Sequence, residues 1–438
     1  MNYLNQKFMK KLYVLVFVAI STLTQAQIDW KRSSANANLP TWMGTGNTER
    51  GMTVVGTKMY VVSRFSGTKI KVVNTADGTD LPEVSNYTGI AGGTFTLNDV
   101  EASSNGSILA CNLTGSATVP GSYNFKVYRW DSDTATPTIY INYVYSTAMR
   151  LGDTFTVTGD VNGNAVIYAG NAGGNSVVKW TVTGGVLDTN PTILTFSDGI
   201  QGNIFNVYPM GLGATDGFIA NSNGKTPTLY SVSGTIATKS LTEVVPSSVV
   251  STGSNDTKYF EITDTDAVTK KYLASFIYGT VGEYTQIVDV TNGFALATTV
   301  GLTTKLGATA NGNGSGGNAV IVRAPNAVDV FTLSTNNGIS GKTILDPTLG
   351  NNKLTAYENH KAAKLFPNPA TSSVNIVYDT QLQKNASASF YSTDGKLVKN
   401  AVINSNIQEV NVDDLPKGVY MVRFQNGKDT TTSKLVKN

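Results

Sequence analysis

Short runs of alternating apolar and polar residues, closed by Gly, Asn or Asp, recur between about residues 49 and 345. Each of six similar pairs consists of two such runs joined by a short polar or glycine-rich turn. Alternation with a period of two indicates strands with one buried face, and the turn residues indicate antiparallel hairpins. The pairs begin at Met59, Ser107, Val166, Gly217, Tyr272 and Ala319.

A further marker precedes each pair by a similar distance, which sets the length of the repeat. A repeat of about 50 residues with four short strands is typical of a β-propeller blade. We therefore predict an all-β, six-bladed β-propeller over residues 27–349, with a sandwich or a parallel β-helix as the alternative. The last blade lacks one strand, which Ile28–Lys31 can supply. The markers are Arg50, Asp99, Asp153, Asn206, Tyr259 and Gly307.

Aromatic residues recur in the predicted third strands of the repeats. Trp130 and Trp180 occupy equivalent positions, as do Tyr128 and Tyr230, and we expect them to pack between blades. Cys111 lies in an alternating strand and is expected to be a small buried apolar residue.

Composition and charge narrow the classes of function. Charged residues make up 14% of the chain, and 33 basic residues face 30 acidic ones. Three of the lysines lie in residues 1–26, which contain no acid, so the remainder is balanced at 30 against 30. A neutral chain argues against a nucleic-acid partner, which requires a basic face. A single cysteine excludes an intrachain disulfide and a cysteine zinc cluster.

Residues 1–26 have the pattern of a secretory signal peptide. Lys7, Lys10 and Lys11 form a basic region, and the apolar stretch Leu12–Ile20 follows it. Nine apolar residues are too few to cross a bilayer, which takes about 20. We expect Sec-dependent export, cleavage after Ala26 and no integral membrane segment after signal removal; an amino-terminal anchor is the alternative.

The starts of the predicted inner strands provide the candidate binding site. In a propeller these starts converge at one mouth of the central channel, where donors, acceptors and an aromatic ring could bind a glycan or a protein. The same ring could instead hold neighbouring blades in register through buried salt bridges. The candidate residues are Arg50, Arg64, Asn98, Asp99, Asp153, Asn206 and Tyr259.

No catalytic, metal-binding or cofactor-binding residues are predicted. His360 is the only histidine and lies in a polar linker, which argues against a Ser-His-Asp arrangement. The segment that starts at Asp160 resembles a calcium loop, but Ala165 and Asn171 occupy positions that require Gly and Glu. The glycine-rich run from Gly312 precedes a predicted strand instead of the helix that a phosphate loop requires.

These observations favour a non-catalytic binding protein with a glycan or a surface protein as its ligand. The alternative is an extracellular carbohydrate-active hydrolase or lyase at the channel mouth, because Tyr and Arg or paired carboxylates suffice for such chemistry. A purely structural component of the cell envelope is a third class.

Several segments of the repeat region resemble a known family in their amino-acid sequence as well as in the length of the repeat. They are Thr48–Met52, Val61–Arg64, Leu97–Val100, Tyr128–Trp130 and Ala135–Pro137. They are similar to a family of secreted Bacteroidetes proteins whose domain has no known function. The similarity is best in the first three repeats and fades after about residue 210. It implies an exported propeller and assigns no catalytic residues.

After a polar linker at residues 350–363, the carboxyl-terminal segment 364–438 has a different pattern. Alternation around Val374 and Val419 predicts a small, seven-stranded, immunoglobulin-like β-sandwich. Its last strand, Lys434–Lys437, is predicted to be an exposed edge that another protein could pair by strand addition.

The motifs of this segment are, in order, Leu365–Ala370, Phe390–Lys396, Leu415–Phe424 and Lys434–Asn438. They resemble those of the type A sorting domain of the type IX secretion system of Bacteroidetes. The resemblance implies the type IX secretion machinery as a partner and a location outside the cell or on its outer surface. It also implies removal of the domain and attachment of the remainder to surface lipopolysaccharide. The sorting residues it implies are Pro367, Asn368, Pro369, Gly418, Val419, Tyr420, Lys434, Leu435 and Val436.

Overall fold

The computed structural model describes residues 27–346 and 364–438, apart from 116–123, 265–266, 280–281, 308, 310, 312–313, 324–325, 378–381, 383–384, 406 and 428. The predicted signal peptide, the linker 350–363 and His360 lie outside the described residues. Strands dominate, and the described part contains two single-turn 3₁₀ helices, Ser34–Asn36 and Phe294–Leu296. The prediction of an all-β chain is confirmed. Within the described residues, no helix has the length and apolar character that crossing a membrane demands.

The strands of residues 27–346 follow the alternating runs of the sequence. In chain order they are β1 (Asp29–Ser33), β2 (Glu49–Val55), β3 (Lys58–Ser63), β4 (Lys69–Asn74), β5 (Asp80–Leu81), β6 (Phe95–Ala102), β7 (Ile108–Leu113), β8 (Phe125–Trp130), β9 (Thr138–Tyr143), β10 (Phe155–Gly159), β11 (Ala165–Gly170), β12 (Ser176–Thr183), β13 (Val186–Leu187), β14 (Thr192–Phe196), β15 (Asn206–Pro209), β16 (Phe218–Ser222), β17 (Lys225–Ser233), β18 (Ile236–Val244), β19 (Ser254–Thr263), β20 (Thr269–Ile277), β21 (Tyr284–Asp289), β22 (Thr298–Leu302), β23 (Gly316–Arg323), β24 (Ala327–Ser334) and β25 (Gly338–Leu345).

Apart from β13, which pairs only with the end of β12, these strands form six antiparallel groups of four, which we call sheets 1 to 6. Sheet 1 is β2–β5, sheet 2 is β6–β9, sheet 3 is β10, β11, β12 and β14, sheet 4 is β15–β18, sheet 5 is β19–β22, and sheet 6 is β23, β24, β25 and β1. Parallel pairing of β14 with β18 joins sheets 3 and 4 into one continuous sheet. The first strands β2, β6, β10, β15, β19 and β23 contact one another in this order, and β23 contacts β2. The result is a propeller-like ring around a central channel.

Strand β1 closes the ring, as the sequence predicted. It pairs with β25 in antiparallel register, with Trp30 opposite Gly341. The Trp30 indole packs against Phe331 and donates a hydrogen bond of 2.8 Å to the Thr75 carbonyl of sheet 1. The amino-terminal strand therefore joins the last sheet to the first.

The apolar faces of neighbouring sheets pack on each other, because a single sheet leaves one apolar face exposed to water. The cluster between sheets 1 and 2 includes Tyr128 and Trp130, both almost completely buried. Between sheets 2 and 3, Trp180 stacks on Phe125 at 5.6 Å beside the buried Cys111. The predicted packing of these aromatic residues between repeats is confirmed.

The tail has its own core and seven strands. They are β26 (Lys364–Phe366), β27 (Ser373–Val377), β28 (Ser387–Ser392), β29 (Leu397–Val402), β30 (Ile407–Asn411), β31 (Gly418–Asn426) and β32 (Asp429–Lys437). One sheet has the order β26-β27-β30 and the other β29-β28-β31-β32. Alternate residues of β31 face the core, with Tyr420, Val422 and Phe424 buried, while Val419 and Met421 are exposed.

The prediction of an exposed edge at Lys434–Lys437 is wrong. Strand β32 pairs with β31 on one side, and the segment Asn368–Ala370 covers its other side near the end. The Asn368 amide donates 2.7 Å to the Lys434 carbonyl and accepts 2.9 Å from the Val436 N–H. An asparagine side chain carries the same donor and acceptor as a peptide group, so it can replace a neighbouring strand.

Candidate functional site

Asn98 and Asp99 join sheet 2 to sheet 3. Both are buried in β6, where the pairing with β7 shifts register between Phe95 and Asp99. The Asn98 amide donates 2.7 Å to the Gly152 carbonyl, and the Asp99 carboxylate accepts 2.9 Å from the Phe155 N–H. Asp99 also accepts 2.8 Å from the N–H of its neighbour Val100. We call a buried Asn-Asp pair that bonds to the backbone of the next sheet in this way a clasp.

The same clasp recurs between sheets 5 and 6. The Asn255 amide donates 2.6 Å to the Gly314 carbonyl, and the Asp256 carboxylate accepts 2.5 Å from the Asn318 N–H. The register of β19 again shifts at this point. The sequence analysis missed Asp256, although the repeated dipeptide Asn-Asp in two predicted inner strands was a usable signal.

Two predicted site residues lie away from the channel mouth. Asn206 is buried at the start of β15, and its amide donates 3.3 Å to Asp256 and 3.4 Å to the Thr156 hydroxyl. Tyr259 lies three residues beyond Asp256 in β19, and its hydroxyl donates to Glu261. Asn206 therefore links inner strands, and Tyr259 does not join the other candidates.

Four of the predicted residues do come together at one end of the channel. Arg50 and Arg64 both donate to the Asn47 carbonyl, at 3.3 and 3.0 Å. Arg64 also donates to Asn98, whose amide reaches the Asp153 carbonyl at 3.4 Å. We call the group Arg50, Arg64, Asn98, Arg150 and Asp153 the arginine mouth.

Arg150 is the member of the arginine mouth that the sequence analysis missed. Its guanidinium donates two hydrogen bonds to Asp153, at 2.5 and 2.8 Å. The Asp153 side chain is 4% exposed and that of Arg150 is 39% exposed. The i, i+3 spacing of opposite charges in the loop before β10 was the only sequence signal.

Burial shapes the electrostatics of the arginine mouth. Desolvation lowers the pKa of Arg50, and desolvation together with the nearby Arg50 charge lowers the pKa of Arg64 to about 10. With a pKa of about 10, Arg64 carries a positive charge at neutral pH. Arg50 does so because an arginine is not deprotonated in proteins. The Arg64 guanidinium lies 3.7 Å from the centre of the Phe95 ring, a cation–π contact. Phe95 is 36% exposed and Phe65, next to Arg64, is 50% exposed.

A second polar group lies further along the first strands. The Lys258 ammonium is 2.5 Å from Glu101 and 3.3 Å from Asp256, with all three side chains about 10% exposed. Burial raises the pKa of Glu101 to about 7, and the surrounding carboxylates raise that of Lys258. Glu101 and Lys258 line a cavity of about 290 Å³ together with Thr156, Tyr208 and Asn318.

The described residues offer no group of three or more His, Cys, Asp or Glu side chains arranged to hold a metal ion. Asp160 accepts 2.8 Å from the Asn162 N–H in the hairpin turn between β10 and β11. Gly316 and Gly317 belong to β23, so a strand follows the glycine-rich run as predicted.

Residues 364–438 match the family model of the secretion system C-terminal sorting domain. Such a tail marks a protein that the type IX system exports to the cell surface or the extracellular space. The chain is thus an exported all-β protein with a propeller-like fold. Residues 5–275 match the model of the domain of unknown function DUF4623, and the chain belongs to this family.

The chain is also similar to several solved structures, one of which is a member of the same family. A DUF4623 family protein from Bacteroides eggerthii has 20% identity and a TM-score of 0.55, covering 69% of this chain and 71% of that one. A protein of unknown function from Bacteroides thetaiotaomicron has 12% identity and a TM-score of 0.44, covering 73% and 76%. An alpha-L-arabinanase of Penicillium chrysogenum, complexed with arabinobiose, has 10% identity and a TM-score of 0.45, covering 74% and 99%. No curated protein matches the chain significantly.

Proposed function

We propose that the protein is a non-catalytic binding protein of the cell surface, and that a glycan or a protein binds at the arginine mouth. The observation that carries the proposal is the convergence of Arg50, Arg64 and Arg150 at one end of the channel. A guanidinium has five N–H donors in a fixed plane, and a half-exposed one can present several of them to a ligand. Concave sites with a few convergent polar groups are the usual places of ligand binding.

The scaffold that we propose is a six-bladed β-propeller over residues 27–349, with sheets 1 to 6 as its blades. The closed circuit of first strands and the closure of sheet 6 by β1 support it. The seven strands of the tail, in two sheets around one core, support an immunoglobulin-like sandwich over residues 364–438. Residues 1–26 act as the Sec signal peptide, and the linker 350–363 separates the two domains.

The predicted ring divides into a structural part and a binding part. Asp99 is buried and both of its oxygens accept backbone N–H groups, so it holds the sheets in register. Arg150 is 39% exposed, and Arg50 and Arg64 are partly exposed. These differences in burial support a proposal in which the clasp residues hold the sheets in register and the arginines bind the ligand.

Binding without turnover is the expected result for the mature chain on a glycan array and on isolated surface proteins of the producing cells. Arg150→Gln should weaken that binding and also lower the unfolding temperature, because it leaves the buried Asp153 carboxylate without its ion-pair partner. Arg129→Gln is the matched control, since Arg129 of β8 forms an ion pair with the exposed Asp131. Binding that is equal in all three proteins would contradict the proposal.

A second candidate, a carbohydrate-active hydrolase or lyase, rests on Glu101. A carboxyl group with a pKa of about 7 that lines a cavity has the protonation state of a general acid at neutral pH. Reducing-end release or unsaturated products from polysaccharides would support this candidate. Loss of that activity in Glu101→Gln, with binding retained, would assign it to the cavity.

A further inference from the structure

The arginine mouth has more positive than negative charge. Three guanidinium groups meet two carboxylates, those of Asp153 and Glu49. Glu49 is completely buried and accepts hydrogen bonds from the Ser63 and Thr48 hydroxyls. Asp153 is engaged by Arg150. The shared carbonyl of Asn47 holds the Arg50 and Arg64 guanidinium groups close together, although their charges repel.

Two like charges held together in a partly desolvated site favour an anion between or above them. The guanidinium plane matches the two oxygens of a carboxylate or a sulfate, which it binds with paired hydrogen bonds. The chemistry of the mouth thus selects an anionic group over a neutral one.

An aromatic face beside the Arg64 guanidinium indicates what carries the anionic group. Phe95 stacks against Arg64 and remains 36% exposed. An exposed aromatic ring beside charged donors suits a flat, partly apolar ligand. A sugar ring has an apolar face of C–H groups as well as polar substituents, so an acidic sugar satisfies both parts of the mouth.

We propose that the arginine mouth binds an acidic polysaccharide through its carboxylate or sulfate groups. This inference rests on the proposed function and names the class of its ligand. Uronate and sulfated sugars share the chemistry that the mouth recognises, and the experiment below separates them.

The experiment is affinity electrophoresis of the mature full-length chain in native gels that contain one polymer each. Polygalacturonate supplies carboxylates, dextran sulfate supplies sulfates, dextran is neutral, and polyglutamate is an acidic peptide. We expect retardation by polygalacturonate or dextran sulfate and none by dextran. Arg64→Gln and Arg150→Gln should each raise the dissociation constant about tenfold or more, as loss of a charged hydrogen bond does. Arg129→Gln should change it by less than about twofold.

Each result has a defined meaning. Retardation by only one acidic polymer identifies carboxylate or sulfate as the recognised group. Equal retardation by dextran, or tighter binding of polyglutamate, would overturn the acidic-glycan inference while leaving a binding protein. Full retardation of Arg64→Gln and Arg150→Gln would place the acidic ligand elsewhere and overturn the inference. Binding of no polymer, glycan or surface protein would instead contradict the proposed function. Arg150→Lys keeps the test valid if Arg64→Gln or Arg150→Gln fails to fold, because lysine retains a positive charge beside the buried Asp153 carboxylate but lacks the planar, two-pronged guanidinium. It too should weaken retardation by the acidic polymer.

Discussion

Replacement of Asp99 by alanine tests the clasp between sheets 2 and 3. The wild-type carboxylate accepts the N–H groups of Val100 and Phe155 at 2.8 and 2.9 Å, in a position that is 7% exposed. Alanine leaves both N–H groups buried without an acceptor, and each unsatisfied buried group costs about 1–3 kcal/mol. Asp99→Ala should therefore lower the free energy of unfolding by about 2–6 kcal/mol, the sum for the two N–H groups.

Two further variants define the origin of this loss. Asp99→Asn keeps one acceptor oxygen but directs an amide N–H at the other donor, so it should lose about half as much as alanine. Asp188→Ala is the control, because Asp188 accepts the Asn190 N–H at 2.9 Å in an exposed turn where water can replace it. The control should change the free energy of unfolding by about 0.5 kcal/mol or less.

Urea unfolding of the mature chain, followed by tryptophan fluorescence, measures these differences. Trp130 and Trp180 are buried between sheets and report on their separation. If Asp99→Ala is as stable as Asp188→Ala and instead loses its ligand, then Asp99 belongs to the binding site and the clasp is refuted.

Three other perturbations test the channel, the closure of the ring and export. Burial raises the pKa of Glu101 from 4.5 to about 7, so the folded state holds a proton that the unfolded chain releases. The free energy of unfolding should therefore fall as the pH rises through about 7, by at most about 3 kcal/mol. Glu101→Gln should flatten this dependence in urea titrations at pH 5 and 8, and an unchanged profile would contradict the reasoning. Trp30→Ala removes the hydrogen bond to Thr75 and the packing that closes the ring. Calorimetry should show that the free energy of unfolding falls by about 3 kcal/mol, against about 1 kcal/mol for Trp30→Phe, which keeps an aromatic ring. Equal losses in the two variants would show that the indole N–H, and not the packing, closes the ring. Deletion of residues 364–438 should leave the protein in the periplasm, as measured by cell fractionation. Deletion of residues 434–438 should do the same, because Asn368 then loses its strand partner. Display of either truncated protein on the cell surface would refute the sorting role.

The strand repeat and its closure could be predicted because they depend on local patterns. Alternation with a period of two fixes which residues of a strand are buried, and β1 was recognisable as the strand missing from sheet 6. In sheets 5 and 6 the predicted repeat markers, Tyr259 and Gly307, do not coincide with the starts of the first strands. Strand β19 contains a bulge, and β23 begins at Gly316, nine residues after Gly307. A register shift leaves no mark in the alternation itself, so Tyr259 was predicted where Asp256 lies.

The covered edge of β32 could not be predicted for a related reason. Its cover consists of the Asn368 side chain and the Ala370 backbone, which bond to backbone groups of Lys434, Val436 and Asn438, more than 60 residues away in the sequence. Alternation indicates that a strand exists and which face it buries, but it does not indicate which atoms satisfy its outer edge.

Burial separates the two groups of polar residues that surround the channel, and it determines what substitution at each can change. One carboxylate oxygen of each clasp residue, Asp99 and Asp256, accepts a backbone N–H of the next sheet, so replacing these residues mainly lowers stability. Arg150 keeps 39% of its side chain in water, although its partner Asp153 is 4% exposed. On the proposed function, Arg150→Lys should therefore change how a ligand is bound without leaving the Asp153 charge unpaired, whereas substitutions in the clasp impair the ring before they alter binding.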